Sequence, residues 1–149
     1  LQQVLVATDL SETGNRALDW AFSLLPNGGT IHLVHALPPV MGRTPVNNLI
    51  MPRRDTPEEV RQTTEETRAH LERLAAEHSK RGDVGVVVDV LVGDAAEEIC
   101  RAAERLGVDA ICMGSQGRSG ISAAVLGSVA RKVLAQSRRP VLVVGPQER

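Results

Sequence analysis

A glycine-rich turn is the part of this 149-residue sequence whose residue types best suit binding chemistry. Gly114, Gly117 and Gly120 fall within seven residues of one another. Glycines leave backbone N–H groups unscreened, so a turn of this kind can wrap phosphate oxygens. Further along, Gly127-Ser128 adds a hydroxyl and free N–H groups at the predicted start of a helix, where anions are favoured. On glycine spacing alone, phosphate binding and a plain chain reversal are both open.

A single carboxylate near the start of the chain is the second candidate. Asp9 lies in the run Ala7-Thr8-Asp9-Leu10-Ser11, at the end of the first predicted strand. Ser11 is the predicted N-cap of the helix that follows. Asp9 therefore has two interpretations, a ligand contact at a strand end or an acid that supports the cap beside Ser11.

Both candidates are positioned by strands that alternate with helices along the whole chain. Strands are predicted at five short apolar stretches: residues 4–8, 30–36, 85–92, 109–113 and 141–144. Strand–helix units repeated in this way predict an α/β fold, a doubly wound, open, parallel five-stranded sheet with helices on both faces. In such folds ligands bind beyond the carboxyl ends of the strands, where the strand order reverses.

Three features outside the two candidate regions have structural interpretations. Residues 37–57 hold five of the eight prolines, and this segment is predicted to be a loop or flap. Asp94 and Glu97 predict an acidic first turn of a helix, which suits the helix dipole. His32 and His35 alternate with apolar residues on a predicted strand, a pattern more typical of structural histidines than of catalytic ones.

The composition narrows the classes of function. A formal net charge of −1 removes the electrostatic argument for nucleic-acid binding, and the two aromatic residues, Trp20 and Phe22, offer no stacking platform for bases. No apolar run approaches the ~20 residues of a membrane span. Cys100 and Cys112 make neither a disulfide framework nor a CxxC motif, and they predict buried, reduced thiols in the cytoplasm. The length fits one domain over residues 1–149.

Competing motifs for nucleotide and hydrolase chemistry are absent from the sequence. It contains no Gly-x4-Gly-Lys-Ser/Thr run, no GxGxxG after a strand and no GxSxG elbow. A phosphoacceptor domain would need an acidic cluster at the strand ends, whereas Asp9 stands largely alone. The candidate regions also lack an evident base to orient water and a second acid for Mg²⁺. These absences favour binding over turnover.

The spacing of the glycine-rich region is similar to a family signature. Gly114-x2-Gly117-x9-Gly127-Ser128 resembles the Gly-x2-Gly-x9-Gly-Ser/Thr signature of ATP-binding universal stress proteins. Other stretches also resemble that family, and the likeness covers essentially the whole chain: residues 7–11, 35–36, 113–120, 126–130 and 140–144. The resemblance implies the sheet of that family, with strand order 3-2-1-4-5.

The resemblance also implies a set of ATP contacts. Asp9 corresponds to the carboxylate on the ribose side, and Ala36 to an adenine contact. Arg118 has two interpretations, a phosphate clamp or a solvated loop residue. The full set of implied contacts is Ala7, Thr8, Asp9, Ala36, Met113, Gly114, Gly117, Arg118, Gly127, Ser128 and Val129. The sequence departs from the family at Ala7, where proline is common, and at Gln116, where histidine is common.

A regulatory function follows from the resemblance, with two alternatives. It implies an ATP-binding universal stress protein that acts as a non-catalytic, nucleotide-responsive regulator in the stress response. The alternatives are a slow ATPase or phosphotransferase and a dimerisation module that needs no nucleotide. Either Mg²⁺ or Mn²⁺ fits as the cation with ATP, and the sequence names no downstream partner. The implied strand order puts Val141–Val144 at an outer edge, which predicts a homodimer through this strand.

Overall fold

Seven strands and four helices occur in the part of the chain that the structure describes. This computed structural model describes residues 1–39, 42–79, 82–116 and 125–147. In chain order the elements are β1 (Gln3–Ala7), α1 (Glu12–Leu24), β2 (Thr30–Leu37), β3 (Gly42–Val46), β4 (Leu49–Arg53), α2 (Pro57–His78), β5 (Gly85–Val92), α3 (Ala95–Leu106), β6 (Ala110–Gly114), α4 (Ser128–Gln136) and β7 (Val141–Val144). The five predicted strands agree with β1, β2, β5, β6 and β7 to within one residue at each end.

Five parallel strands form the central sheet, in the order β5-β2-β1-β6-β7. Numbered by their sequence within this sheet alone, the order is 3-2-1-4-5, so the predicted fold class is confirmed. The chain builds outward from β1 to one side and then returns to build on the other side. The strand order therefore reverses between β1 and β6, where Ala7 pairs with Met113.

Helices cover both faces of the sheet because the side chains of each strand alternate between the faces. Val4 and Val6 pack in a cluster with residues of α1 and α2. Leu5 and Ala7 pack in a second cluster with residues of α3 and α4. No helix among the described residues is long and apolar enough to span a bilayer.

Polar side chains fix where the helices begin. The Ser11 hydroxyl accepts a hydrogen bond from Gly14 N–H at 3.1 Å, which confirms Ser11 as the predicted N-cap of α1. The Asp94 carboxylate accepts from Glu97 N–H at 3.1 Å at the start of α3. Both caps lie next to strand ends, so they set the direction in which each helix leaves the sheet.

The predicted loop at residues 37–57 is wrong in part, because β3 and β4 form an antiparallel hairpin there. Asn47 and Asn48 both have positive φ, 49° and 60°, as a two-residue type I′ turn requires. In an antiparallel ladder, residue pairs alternate between hydrogen-bonded and non-hydrogen-bonded. The closing pair Val46–Leu49 is hydrogen-bonded, so Pro45 and Pro52 occupy non-hydrogen-bonded positions. Their missing N–H groups therefore remove no ladder bond, and the prolines are compatible with strands.

Cys112 is the more buried of the two free thiols, at 1% exposure on β6, whereas Cys100 is half-buried on α3. Burial raises the pKa of Cys112 to about 11. Burial, and then the charge of Glu104, raise the pKa of Cys100. Because the thiolate is the reactive form, both groups are poor nucleophiles at neutral pH.

We expect Cys112 to stay unmodified by a thiol-reactive disulfide reagent at pH 8 until the protein unfolds. The variant Cys100→Ser leaves Cys112 as the single thiol. Absorbance of the thiol that the reagent releases measures the modification of Cys112 with and without denaturant. Rapid modification of the folded Cys100→Ser protein, at the rate seen in denaturant, would contradict the burial of Cys112.

Candidate functional site

A cavity of about 260 Å³ lies at the carboxyl edge of the sheet, beside the ends of β1 and β6. This is the point of strand-order reversal at which open α/β sheets bind ligands. Its described lining residues are Ala7, Thr8, Asp9, Gly14, Val34, His35, Ala36, Ala95, Ile99, Met113, Gly114, Ser115, Gln116, Val125, Leu126, Gly127, Ser128, Val129, Ala130 and Arg131.

The structure brings nine of the eleven predicted ligand contacts to this one cavity. They are Ala7, Thr8, Asp9, Ala36, Met113, Gly114, Gly127, Ser128 and Val129. Gly117 and Arg118 lie outside the described residues, so their contacts stay predictions. The predicted set was drawn from three separate parts of the chain, and the fold places all three at one edge of the sheet.

The two carboxylate oxygens of Asp9 have different roles. Oδ1 accepts hydrogen bonds from the Ser11 N–H, at 3.0 Å, and from the Ser11 hydroxyl. Oδ2 is buried and has no hydrogen-bond partner among the described residues. A buried, unpaired carboxylate oxygen is costly, so Oδ2 is the atom in this cavity that most needs a donor from a ligand. The supporting role beside Ser11 is therefore observed for one oxygen, and the ligand contact stays a prediction for the other.

A strained turn holds Asp9 at the cavity. Leu10 has a φ of 67°, a left-handed conformation that costs a non-glycine residue about 1–2 kcal/mol. Its N–H donates to the Thr8 hydroxyl at 3.0 Å, and that hydroxyl donates to Asn15 Oδ1 at 2.8 Å. These bonds offset the strain and fix the backbone on both sides of Asp9.

His35 fastens the end of β2 to the end of β1. Its Nδ1 is 2.8 Å from the Thr8 carbonyl oxygen, which only accepts, so Nδ1 carries the proton and donates. His32 lies lower on the same strand, with Nε2 3.0 Å from Gln3 Oε1. Burial, and then the charge of Arg105, hold the pKa of His32 below its usual value. Both rings have structural partners, although His35 also lines the cavity.

Ser115 joins three elements just beyond β6. Its N–H donates to the Val144 carbonyl of β7 at 2.8 Å, and its carbonyl accepts from Gly127 N–H at 2.7 Å. Its hydroxyl oxygen is buried without a hydrogen-bond partner among the described residues. Ala7 pairs with Met113. Asp9 and Ser115 each follow two residues after one member of this pair. Two unpartnered polar atoms thus lie at neighbouring strand ends of one cavity.

Helix α4 begins at this cavity. Gly127 is its N-cap, with φ −62° and ψ 158°, and as a glycine it has no side chain to cap the first turn. Ser128 and Val129, the first two helical residues, line the cavity with Gly127. The first N–H groups of a helix lack intrahelical partners and carry its positive dipole end, so this part of the cavity suits an anion.

The lining also includes residues that the sequence analysis did not select. Val34 and Ile99 read as ordinary core positions of a strand and a helix, and nothing in their types signals a cavity. Ser115 lies within the glycine-rich signature at a variable position, so only its unpartnered burial identifies it. Gly14 lies within a helix and not in a turn, so its type gave no signal. Its lack of a side chain lets the first turn of α1 approach Thr8 and Asp9.

The sequence matches one protein family over nearly its whole length. The model of the universal stress protein family matches residues 1–145. The chain is 30% identical over 146 residues to universal stress protein YxiE of Bacillus subtilis, covering 95% of this chain and 97% of that protein. It is 42% identical over 83 residues to universal stress protein MJ0577 of Methanocaldococcus jannaschii, covering 54% of this chain and 49% of that relative. The chain therefore matches about half the length of MJ0577.

Solved structures share the fold. The MJ0577 structure superposes with a TM-score of 0.76 and 28% identity, covering 99% of this chain and 98% of that one. A universal stress protein from Archaeoglobus fulgidus in complex with dAMP has a TM-score of 0.63 and 22% identity, with 97% and 98% covered. A universal stress protein in complex with cAMP has a TM-score of 0.62 and 22% identity, with 96% and 95% covered.

Gly14→Ala should destabilise the protein and displace the Asp9 carboxylate. A Cβ on Gly14 would lie 2.6 Å from Asp9 Oδ1 and 3.0 Å from Thr8 Oγ1, and moving Asp9 would break its bonds to Ser11. Overpacking costs about 1–3 kcal/mol, whereas the gain in helix propensity is about 1 kcal/mol. We expect a net fall in the free energy of unfolding, measured in urea.

Gly82→Ala is the control for this substitution. A Cβ there meets no atom within 4 Å, so its unfolding midpoint should equal that of the parent. If Gly14→Ala were as stable as Gly82→Ala, the close contact with Asp9 would be wrong.

Proposed function

The chain belongs to the universal stress protein family, and from that premise we propose that it is an ATP-binding protein that acts without catalysis as a nucleotide-responsive regulator of the stress response. The observation that carries the proposal is one cavity with two features: a carboxylate oxygen just after β1 that has no hydrogen-bond partner among the described residues, and the start of α4, whose N-cap is a glycine. These groups have opposite electrostatic character, as a ligand with hydroxyl donors and a distant polyanion requires.

The nucleoside end of the ligand is assigned to Asp9 and Ser115. Asp9 Oδ2 can only accept, which suits a ribose hydroxyl. The Ser115 hydroxyl can accept from a sugar or donate to it. Val34, Ile99 and Met113 supply apolar walls that suit the faces of an adenine. The residues present therefore fit a nucleoside, and a cavity of about 260 Å³ suits that part of the ligand rather than the whole of ATP.

The phosphates are assigned to the start of α4. Backbone N–H groups of Ser128 and Val129, with the Ser128 hydroxyl, are the proposed donors, and Gly127 keeps the approach open. Gly117 and Arg118, which lie outside the described residues, are proposed as further contacts on the strength of the signature. Among the described residues no group of three metal-ligating side chains occurs. A Mg²⁺ or Mn²⁺ ion with the nucleotide would therefore take ligands mainly from the phosphates.

Two related structures support an adenine nucleotide as the ligand class. The Archaeoglobus fulgidus protein was solved with dAMP, and another universal stress protein with cAMP. ATP is the finer choice, and it rests on the glycine signature together with the helix start. The two free cysteines favour a reducing compartment, and we propose the cytoplasm.

We propose binding rather than turnover because the one carboxylate among the described lining residues is assigned to the ribose, away from the proposed phosphate contacts at the start of α4. Asp9 and His35 are the carboxylate and imidazole among the described lining residues. Ser11 occupies one oxygen of Asp9, and the Thr8 carbonyl fixes the imidazole of His35. A slow ATPase is the competing function, and steady-state release of phosphate that one lining substitution abolishes would favour it.

We further propose that the protein is a homodimer through β7. Ser115 N–H donates to the Val144 carbonyl, so Val144 faces β6. Orientation alternates along a parallel strand, and Val141 and Val143 therefore direct their N–H and C=O groups away from the sheet. An antiparallel copy of the same strand, related by a two-fold axis, would satisfy these groups.

An apolar surface beside β7 extends the proposed dimer interface. Trp20 on α1 is 50% exposed and Leu142 is 38% exposed. They line a groove with Arg16, whose Nη1 donates to the Gly145 carbonyl at 2.6 Å. Large apolar side chains next to an open strand are typical of a protein–protein contact.

Asp9→Asn should weaken ATP binding selectively. Asparagine can still accept from Ser11, but it presents a neutral N–H₂ donor where Oδ2 now accepts, so a ribose hydroxyl that donates there loses its charged acceptor. A hydrogen bond to a charged group contributes about 1.5–3 kcal/mol, which predicts roughly 10- to 100-fold weaker ATP binding by calorimetry. Ser115→Ala removes one neutral hydrogen bond, and ATP binding should weaken roughly 3- to 10-fold.

The controls separate the ribose contact from a general effect. Inorganic triphosphate should bind Asp9→Asn as it binds the parent, since it has no ribose. Asp19→Asn, which changes a carboxylate on α1 outside the cavity, should leave ATP binding unaltered. Equal losses for ATP and triphosphate would assign Asp9 a purely structural role. Undiminished ATP binding by Asp9→Asn would refute the assigned contact.

Val143→Pro should convert the dimer to a monomer. The N–H that proline removes points away from the sheet, so the fold keeps its own hydrogen bonds while a second copy loses a donor. Sedimentation velocity should show the parent as a dimer and the variant as a monomer. Emission of the single tryptophan, Trp20, should shift to longer wavelength as it becomes more exposed.

Val88→Pro is the matched control, because its N–H also points away from the sheet but on the opposite edge, β5. Val88→Pro should sediment with the same mass as the parent protein. A parent protein that sediments as a monomer at micromolar concentration would refute the dimer.

A further inference from the structure

Strand β5 is a second outer edge, and its sequence is suited to unwanted pairing. It is eight residues long, twice the length of β7, and it is apolar apart from Gly85 and Asp89. Val87 is 53% exposed. Long, valine-rich edge strands are templates for pairing with another chain. Whether β5 pairs in this way depends on what covers its outward backbone groups.

The backbone groups that an incoming strand would need lie in the middle of β5. Gly85 N–H donates to the Gly29 carbonyl and Gly93 N–H to the Leu37 carbonyl, each at 2.9 Å, on the side of β2. Odd-numbered residues of β5 therefore face β2, and even-numbered residues direct their N–H and C=O groups outward. Val88 and Val90 are the central outward pair.

Side chains of the same chain already occupy two of these groups. Arg68 Nη1 donates to the Val88 carbonyl at 3.1 Å. Val90 N–H donates to Asp89 Oδ1 at 2.9 Å. A second strand could pair here only by displacing both side chains. The edge is thus blocked at the carbonyl of one residue and at the N–H of the next outward residue.

Two arginines hold the blocking carboxylate from opposite faces of the sheet. Arg68 comes from α2, with Nη2 3.4 Å from Asp89 Oδ1, and Arg105 comes from α3, with Nη2 3.8 Å from Asp89 Oδ2. Because α2 and α3 cover different faces, the three side chains wrap around the rim of β5. We call Arg68, Asp89 and Arg105 the edge clasp. Exposed ion pairs contribute little to stability, so stability alone does not explain the arrangement.

We propose that the edge clasp prevents β5 from pairing with a second copy of the chain, so that assembly can proceed only through β7. One pairing edge closes at a two-fold dimer, whereas two pairing edges would allow open-ended chains of molecules. By blocking one of the two edges, the edge clasp would limit the assembly to a dimer. The inference is independent of the nucleotide site.

Asp89→Val tests the clasp directly. Valine leaves the Val90 N–H uncovered, removes the carboxylate that pairs with both arginines and makes the outer strand continuously apolar. We expect sedimentation velocity to show species with roughly twice the mass of the parent or more, increasing with concentration. Adding Val87→Lys places a charge on the exposed face of the same edge and should restore the mass of the parent.

Arg61→Ala is the matched control on α2. It removes exposed ion pairs with Glu58 and Glu65 that lie away from β5, and its mass should equal that of the parent. Circular dichroism and the midpoint of unfolding in urea report whether each variant is folded. A folded Asp89→Val protein with the mass of the parent at every concentration would overturn the proposal. So would larger species that Val87→Lys fails to reverse.

Discussion

Backbone meets backbone where the first turn of α1 crosses the end of β6. A Cβ on Gly114 would lie 3.1 Å from Gly14 N, and a Cβ on Gly14 would lie 2.6 Å from Asp9 Oδ1. The two glycines permit two successive close approaches: Gly114 lets the end of β6 approach the first turn of α1, and Gly14 lets that turn approach Asp9. The turn that carries Asp9 and the strand end that carries Ser115 are neighbours for this reason. The geometry of the cavity therefore depends on an absence of side chains.

The two edges of the sheet show how one architecture handles two surfaces differently. At β5 the outward groups of Val88 and Val90 are covered by side chains of the same chain. At β7 the flank is apolar, with Trp20 and Leu142 exposed. Charged side chains cover the edge of the longer strand, β5, whereas exposed apolar side chains lie beside the shorter strand, β7. The charge pattern of a sheet edge thus carries information about assembly that the strand order alone does not.

Local patterns were sufficient to predict a parallel sheet with two candidate regions at its strand ends, because the strand ends of such a sheet converge at one edge. The strand order and most of the proposed contacts, Ala36 and Val129 among them, were instead implied by the resemblance to the family. Ser11 was predictable as a cap from its type and place. The hairpin at Asn47-Asn48 was missed because proline content outweighed a turn signal. The unpartnered Ser115 hydroxyl and the bond between Arg68 and Val88 were not predictable, since they join residues that meet only in the folded chain.

One residue, Ser115, lies between the cavity and the outer strand. Through its N–H and its carbonyl, Ser115 is bonded both to Val144 on β7 and to Gly127 at the start of α4. A ligand that moves this residue therefore moves the strand, and a contact that moves the strand moves the helix start. Such coupling is reciprocal in free energy, so any factor by which occupancy alters self-association must equal the factor by which self-association alters affinity. A concentration-dependent affinity would be the thermodynamic signature of that shared residue.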